Sequence, residues 1–179
     1  MPNSAYFDSC IFIEVLQKKD KARLDACMDL VRQAKNGDLN IVTSVWTITE
    51  VNKLDDAGAA SGLLPEEQSK QILAFFENKY IFVRQLDRAT AEEAHRLTRT
   101  HGLTNADAVH VATALLAKVN VFYTYDAAKK KRKGLLRHDG KIGSPPLAIK
   151  MPPDPSHGPL FDNKPEARPP GGSGGSTQS

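Results

Sequence analysis

The chain carries only two cysteines, no long apolar run and no internal repeat, and each absence removes a class of protein. Cys10 and Cys27 form neither a C-x-x-C pair nor a zinc-like spacing, which argues against a disulfide framework and a zinc module. Both lie in apolar-patterned segments and are expected to be reduced and packed as small hydrophobes. No stretch reaches the roughly eighteen apolar residues that a membrane span needs, so no membrane association is expected. The opening MPNSAYFDSC lacks the charged-then-apolar layout of a secretory leader, and the expected location is the cytoplasm. Five histidines are scattered without metal-ligand spacing. The missing repeat excludes solenoids and propellers.

What is present is 179 residues, 40% hydrophobic and 25% charged, an ordinary composition for one globular domain with a real core. The net charge of +3 is mild but unevenly placed. Residues 1 to 120 hold 14 Lys+Arg against 16 Asp+Glu, a net of −2, whereas residues 121 to 150 hold 8 against 2, a net of +6. After Lys150 the last 29 residues contain seven prolines and five glycines without periodicity. Such a segment buries too little apolar surface to offset its chain entropy. Residues 1–150 therefore read as the domain and 151–179 as a disordered Pro/Gly-rich tail.

Within the domain, SAYFD is a short strand-like run ending on Asp8, and SCIFIEVLQKK reads as a helix capped by Ser9. Leu24, Cys27, Met28, Val31 and Ala34 recur at helical spacing in the next segment, which Gly37 closes. LNIVTS is a β-branched strand, and Ser44 caps a helix over VWTITEVNKLDDA. Beyond GAASG, Pro65 opens a helix through EEQSKQILAFFENK. YIFVRQL is a third strand, DRATAEEAHRLTRTHG and LTNADAVHVATALLAK are helices, NVFYTYD is a fourth strand and PLAIK a short fifth. Strands alternating with helices, over connections too long for hairpins, imply parallel pairing through right-handed crossovers. The expected fold is α/β, a three-layer α/β/α sandwich with a central parallel sheet covered on both faces.

Four acids fall at corresponding places on that skeleton. Asp8 lies just past the first strand and Asp126 at the same end of the fourth, the edge where open parallel sheets bind ligands when strand order reverses. Asp107 heads the helix leading into the fourth strand, and Glu50 lies near two turns into the helix after the second. If the first and fourth strands are neighbours, Asp8, Asp107 and Asp126 converge. Two like charges roughly 4 Å apart cost about 4 kcal/mol at an effective dielectric of 20, so such a group coexists if a divalent cation neutralises it. Oxygen-only donors suit Mg²⁺ or Mn²⁺, and the chemistry that follows is phosphodiester hydrolysis by an activated water. Each acid also has a plainer explanation. Asp107, with Thr104 as N-cap, occupies the capping-box position; Asp8 and Asp126 can cap the helices that follow; Glu50 can pair with Lys53 on the surface.

The strings YFDSCIFIEVL, TSVWTITEV, GLTNADAVHVATAL and FYTYD resemble the four signatures of PIN-domain ribonucleases, including the VapC-type toxins of toxin–antitoxin pairs. The resemblance runs from about residue 5 to 128 and is expected to continue to 150. It puts the family's catalytic, metal-binding quartet on Asp8, Glu50, Asp107 and Asp126, and its supporting small hydroxyl residues on Ser9 and Thr124. It implies a Mg²⁺- or Mn²⁺-dependent endoribonuclease, commonly a homodimer, whose toxin members are held inactive by a small antitoxin protein. The Pro/Gly-rich tail has no counterpart in the family's pattern. Two readings compete: a housekeeping RNA-processing nuclease, and an RNA- or partner-binding module with an inert acidic site, against which the intact quartet argues. A haloacid-dehalogenase-like enzyme would carry a second acid two residues after the first, where this chain has Cys10.

Lys129, Lys130, Lys131, Arg132 and Lys133 follow Asp126 within the basic strip. They are either a solvated face or an RNA-backbone contact, and their nearness to a proposed metal ligand favours the second. Tyr123 and Tyr125 can stack on bases, although strand alternation makes one or both structural. His110, one turn beyond Asp107, can contact the site, but within an alanine-rich face it is read first as a packed structural residue. The helices around residues 44 to 76, with Trp46, Leu64, Leu73 and Phe76, are the candidate groove for an antitoxin segment, with core and dimer contacts the plainer reading.

Overall fold

The computed structural model describes residues 3–54, 62–128 and 134–154. Five strands, β1 (Asn3–Phe7), β2 (Leu39–Ser44), β3 (Ile81–Arg84), β4 (Val121–Tyr123) and β5 (Ala148–Lys150), form one parallel sheet in the order β3-β2-β1-β4-β5. The connections carry α1 (Ser9–Gln17), α2 (Lys21–Asn36), α3 (Val45–Glu50), α4 (Pro65–Phe76), α5 (Arg88–His101) and α6 (Asn105–Leu116), and a 3-10 turn spans Leu135–His138.

Period-two alternation along the strands divides the interior into two cores. Ala5 and Phe7 of β1 and Leu39 and Ile41 of β2 face α1, α2 and α4 through Phe12, Leu30, Val31, Ile72 and Phe76. Tyr6, Val42 and Phe122 face the other way, onto Leu97 of α5 and Ala108, Val111 and Ala112 of α6. Full burial of a large apolar side chain stabilises by roughly 1.5–3 kcal/mol, so both layers are held firmly to the sheet. This is the expected three-layer α/β/α sandwich.

The pairing of β1 with β4 positions everything that follows. Ala5, Tyr6 and Phe7 lie opposite Val121, Phe122 and Tyr123, and Tyr6 stacks on Phe122 with ring centroids 4.8 Å apart. From β1 the chain first builds outward through β2 and β3, then returns to β1's other side for β4 and β5. Strand order reverses between β1 and β4, which opens a crevice at their carboxyl ends.

Several local features differ from the sequence expectation. Asp8, not Ser9, caps α1: its backbone is extended (φ −69°, ψ 157°) and its carboxylate accepts from the Ser9 N–H. The helix after β2 ends at Glu50 instead of continuing toward Ala57. Val45, Thr47, Ile48, Thr49 and Val51 are all β-branched and resist helix, while Val51 and Leu54 turn into the core. Trp46, Leu64 and Leu73 are exposed as a groove would need, but Phe76 belongs to the core. Pro152 is buried, so packing extends past the expected boundary at Lys150; residues 155–179 lie outside the described residues. Lys129, Lys130, Lys131, Arg132 and Lys133 also lie outside them.

Gly134 lies beside Asp126 and Ala127. Its φ is +24°, and a Cβ there would collide with backbone atoms of Asp126 and Ala127. Neither neighbour can yield as a side-chain tip would. Gly134→Ala is expected to lower unfolding free energy by about 1–3 kcal/mol in urea titration, through backbone strain; an unchanged midpoint would show that this approach relaxes freely.

Candidate active site

Asp8 follows β1 directly and is buried, 6% exposed. Oδ1 accepts from the Ser9 N–H at 2.8 Å and from the Ser9 hydroxyl at 3.4 Å. Oδ2 accepts from the Thr124 hydroxyl at 2.6 Å. That hydroxyl oxygen also accepts from the Asp126 N–H at 2.9 Å, so one small side chain links the two acid-bearing strand ends. A β-branched residue at this point is held stiffly, and threonine alone among the β-branched residues supplies a donor and an acceptor.

Asp126 lies three residues beyond β4, and its Oδ2 accepts from the Leu135 N–H at 2.9 Å. Asp107 occupies the third position of α6. Thr104, the N-cap, accepts from the Asp107 N–H at 3.2 Å and donates its hydroxyl to Asp107 Oδ2 at 2.7 Å. The capping role expected as the plainer explanation is therefore observed, but it does not take Asp107 out of the site. Glu50 closes α3 and is 29% exposed; it is held by His110, not by Lys53.

All four acids, with Ser9, Cys10, Arg23, His110 and Tyr125, line a single cleft of about 430 Å³ at the β1/β4 crossover. Another pocket, formed by Gly102, Leu103, Thr104, Asp107, Gly134, Leu135, Arg137 and His138, shares only Asp107 among the acids. Among the described residues, no group of three or more His, Cys, Asp or Glu side chains is gathered tightly enough to enclose an ion unaided. Carboxylate oxygens with room for water are nevertheless the donor chemistry of a hard divalent cation, which commonly keeps most of its waters and takes only one or two carboxylates.

Two residues read chiefly as packing also contact the acids. His110 is 2% exposed, as a packed residue should be, yet its Nε2 is 2.8 Å from Glu50 Oε2 and 3.7 Å from Asp8 Oδ1. Its Nδ1 is hydrogen-bonded to the Tyr6 hydroxyl at 2.7 Å. The signal in the sequence was its place one turn after Asp107 on the same helical face; the partner two elements away was not visible. Cys10 donates its thiol to Asp8 Oδ2 at 3.3 Å and accepts from the Tyr125 N–H at 3.2 Å. Burial and the Asp8 charge push the Cys10 thiol well up, which keeps it a donor.

The surroundings of the His110–Glu50 pair favour its charged form. Burial opposes a charged His110, but the Glu50 hydrogen bond and the charges of Asp8, Glu50 and Asp107 outweigh it and hold the imidazole above its ordinary value. Burial likewise pushes Glu50 up, and the His110 hydrogen bond and charge overcome it, leaving the carboxyl below its ordinary value. An imidazolium donates from both nitrogens, to Glu50 and to the Tyr6 oxygen.

Comparison with known proteins places these features in a family context. The family model described as PIN domain matches residues 5–135. Among solved structures, the toxin VapC20 of Mycobacterium tuberculosis, described as sarcin-ricin loop cleaving, aligns with TM-score 0.52 and 14% identity over 69% of this chain and 90% of its own. A toxin–antitoxin complex from Klebsiella pneumoniae gives 0.51 and 19% over 84% and 98%. VapBC2 from Rickettsia felis, bound to a DNA fragment from its promoter, gives 0.50 and 14% over 83% and 98%. At these identities the likeness is one of fold. No curated protein sequence matches the chain.

A raised imidazole pKa contributes stability that is complete below the ordinary histidine value and is lost as pH rises through the raised one. In metal-free buffer the melting temperature of the wild type relative to His110→Gln should therefore decline as pH rises from about 6.5 into the alkaline range. Parallel melting curves for the two proteins across that window would break the link to His110.

Proposed function

The chain belongs to the PIN-domain family, and from that premise we propose that it is a Mg²⁺- or Mn²⁺-dependent endoribonuclease serving as the toxin of a type II toxin–antitoxin pair. The observation that carries this reading is the convergence of Asp8, Glu50, Asp107 and Asp126 on one cleft at the sheet's crossover. Anions gathered there repel an RNA phosphate unless a cation intervenes. Bound divalent metal supplies Lewis-acid polarisation of the phosphoryl oxygen and a water acidic enough to attack at neutral pH.

The chain's own residues do the rest. Asp8, Asp107 and Asp126 would hold the ion, with Glu50 binding directly or through water. The Ser9 N–H and the Thr124 hydroxyl fix the Asp8 carboxylate in one orientation. His110, backed by Tyr6, orients Glu50 from below. Such supporting contacts keep ligands within the narrow geometry that metal chemistry needs. Lys129 to Lys133 remain candidates for holding the RNA backbone.

The toxin assignment draws on the fold shared with VapC20 and with the toxin–antitoxin complex. We place the protein in the cytoplasm as a homodimer. A small antitoxin would silence it by inserting an arginine among Asp8, Glu50 and Asp107, where a guanidinium pairs bidentately with a carboxylate. An amphipathic segment of that partner would lie along α3 and α4, over exposed Trp46, Leu64 and Leu73.

Asp8→Asn should reduce cleavage of mixed RNA by about hundredfold or more, since even outer partners of metal ligands are worth 10–100-fold. Its melting temperature without metal should stay equal or rise, because repulsion is relieved. EDTA should stop the wild type and Mn²⁺ restore it; equal activity of both proteins under saturating Mn²⁺ would rule the assignment out.

Expression of the wild type should arrest growth, Asp8→Asn should not, and the product of a small neighbouring gene should rescue. Harmless expression at levels where RNA cleavage is measurable would leave a processing nuclease in place of a toxin.

A further inference from the structure

The acidic cleft has a cation of its own. Arg23 is the only lysine or arginine among the described residues that line it. It stands in the first turn of α2, where the helix dipole favours acids and disfavours a guanidinium. Its ion pair with the capping Asp20 is loose, Nε to Oδ2 3.8 Å, with the two side chains 46% and 52% exposed. Contacts of that kind add little. Helix stability therefore does not account for an arginine here.

Tyr125 accounts for its position. The guanidinium lies over the Tyr125 ring, 4.7 Å from the centroid, and the Tyr125 hydroxyl donates to the Arg23 carbonyl oxygen at 3.3 Å. Tyr125 is in turn fixed by its N–H to the Cys10 sulfur, and it stands between Thr124 and Asp126 in the chain. The guanidinium is thus registered to the segment that carries two residues of the site. Stacking on an aromatic face pre-orients a planar fork whose donors match the paired oxygens of a phosphate.

Resting on the nuclease reading, we propose that Arg23, seated on Tyr125, is the substrate-binding clamp that holds a backbone phosphate of single-stranded RNA in the acidic cleft. The four acids supply the site for the cation and Arg23 offsets their repulsion of the strand. The clamp belongs to the cleft wall, so it acts on any RNA sequence and contributes affinity without base specificity.

The test compares wild type, Arg23→Ala, Arg23→Lys and Tyr125→Leu on a short single-stranded oligoribonucleotide. Cleavage kinetics are measured with Mn²⁺, and binding by fluorescence anisotropy in EDTA across a salt series. Arg23→Ala should raise KM and the EDTA Kd about tenfold while kcat moves far less, and should lower the log–log salt slope by about one. Arg23→Lys should keep the salt slope but recover only part of the affinity, and Tyr125→Leu should weaken binding at an unchanged number of charges. A residue that only braces α2 would shift melting temperature and leave the salt slope alone. If Arg23→Ala matches a cleaving wild type in KM, Kd and slope, the clamp is wrong and the nuclease reading stands. A wild type that neither binds in EDTA nor cleaves with Mn²⁺ brings down both.

Discussion

Four carboxylates around one cleft repel one another, and much of the local architecture is a response to that repulsion. At separations near 4 Å each like pair costs about 4 kcal/mol at an effective dielectric of 20. The chain offsets this with donors aimed at the ionised forms. Asp8 takes the Ser9 N–H and the Thr124 hydroxyl, Asp107 the Thr104 hydroxyl, Asp126 the Leu135 N–H, and Glu50 the His110 ring. Hydrogen bonds to charged groups contribute roughly 1.5–3 kcal/mol each, enough to hold the anions in place. Apart from His110, these donors are neutral. They stabilise each carboxylate without cancelling the negative field, so the cleft stays attractive to a cation.

Those donors are in range because of the sheet. Parallel pairing of β1 with β4 brings Phe7 opposite Tyr123, and the residues that follow, Asp8 and Thr124, then meet side by side. Alternation does further work one residue earlier. Tyr6 points into the core beneath α6, and its hydroxyl reaches His110 through that core. Burial raises the Tyr6 phenol, as does the charge of Asp8, so it remains a neutral partner. The alanines of α6, with Ala108, Ala112 and Ala114 fully buried, let the helix pack closely against its neighbours. Core packing thereby fixes the position of His110 and, one turn earlier, of Asp107.

This logic explains what the sequence alone reveals. Layer architecture follows from alternating apolar runs, because the central strands must bury both faces, whereas edge strand β3 leaves Phe82 exposed. The acids at strand ends and helix heads were legible because topology, not side-chain detail, brings them together. Their supports were less so. Thr124 and Ser9 came from resemblance, and the bridging of Asp8 to the Asp126 N–H by one hydroxyl depends on a register that no local pattern encodes. His110 looked structural because it is structural: the same buried ring serves the core on one nitrogen and Glu50 on the other. Cys10 escaped for a related reason, since a buried thiol reads as a small hydrophobe until its acceptor is known. The early end of α3 reflects competition between a helical pattern and β-branched residues that the core draws away.

That early end has a consequence for the site. The Asp8 N–H donates to the Tyr123 carbonyl of β4, the Asp126 carbonyl accepts from the Leu136 N–H of the 3-10 turn, and Asp107 stands in a capped helix packed on alanines. Glu50 stands at the last position of a six-residue helix, too short to be stable by propensity and followed by an irregular stretch. Its backbone constrains it least among the four, and its side chain is the one anchored by a buried ring. A carboxylate placed by a side-chain partner can move by rotamer without disturbing the sheet. On the proposed nuclease reading, Glu50 would be the member of the quartet free to bind an ion directly or through water, while the other three would keep a fixed frame.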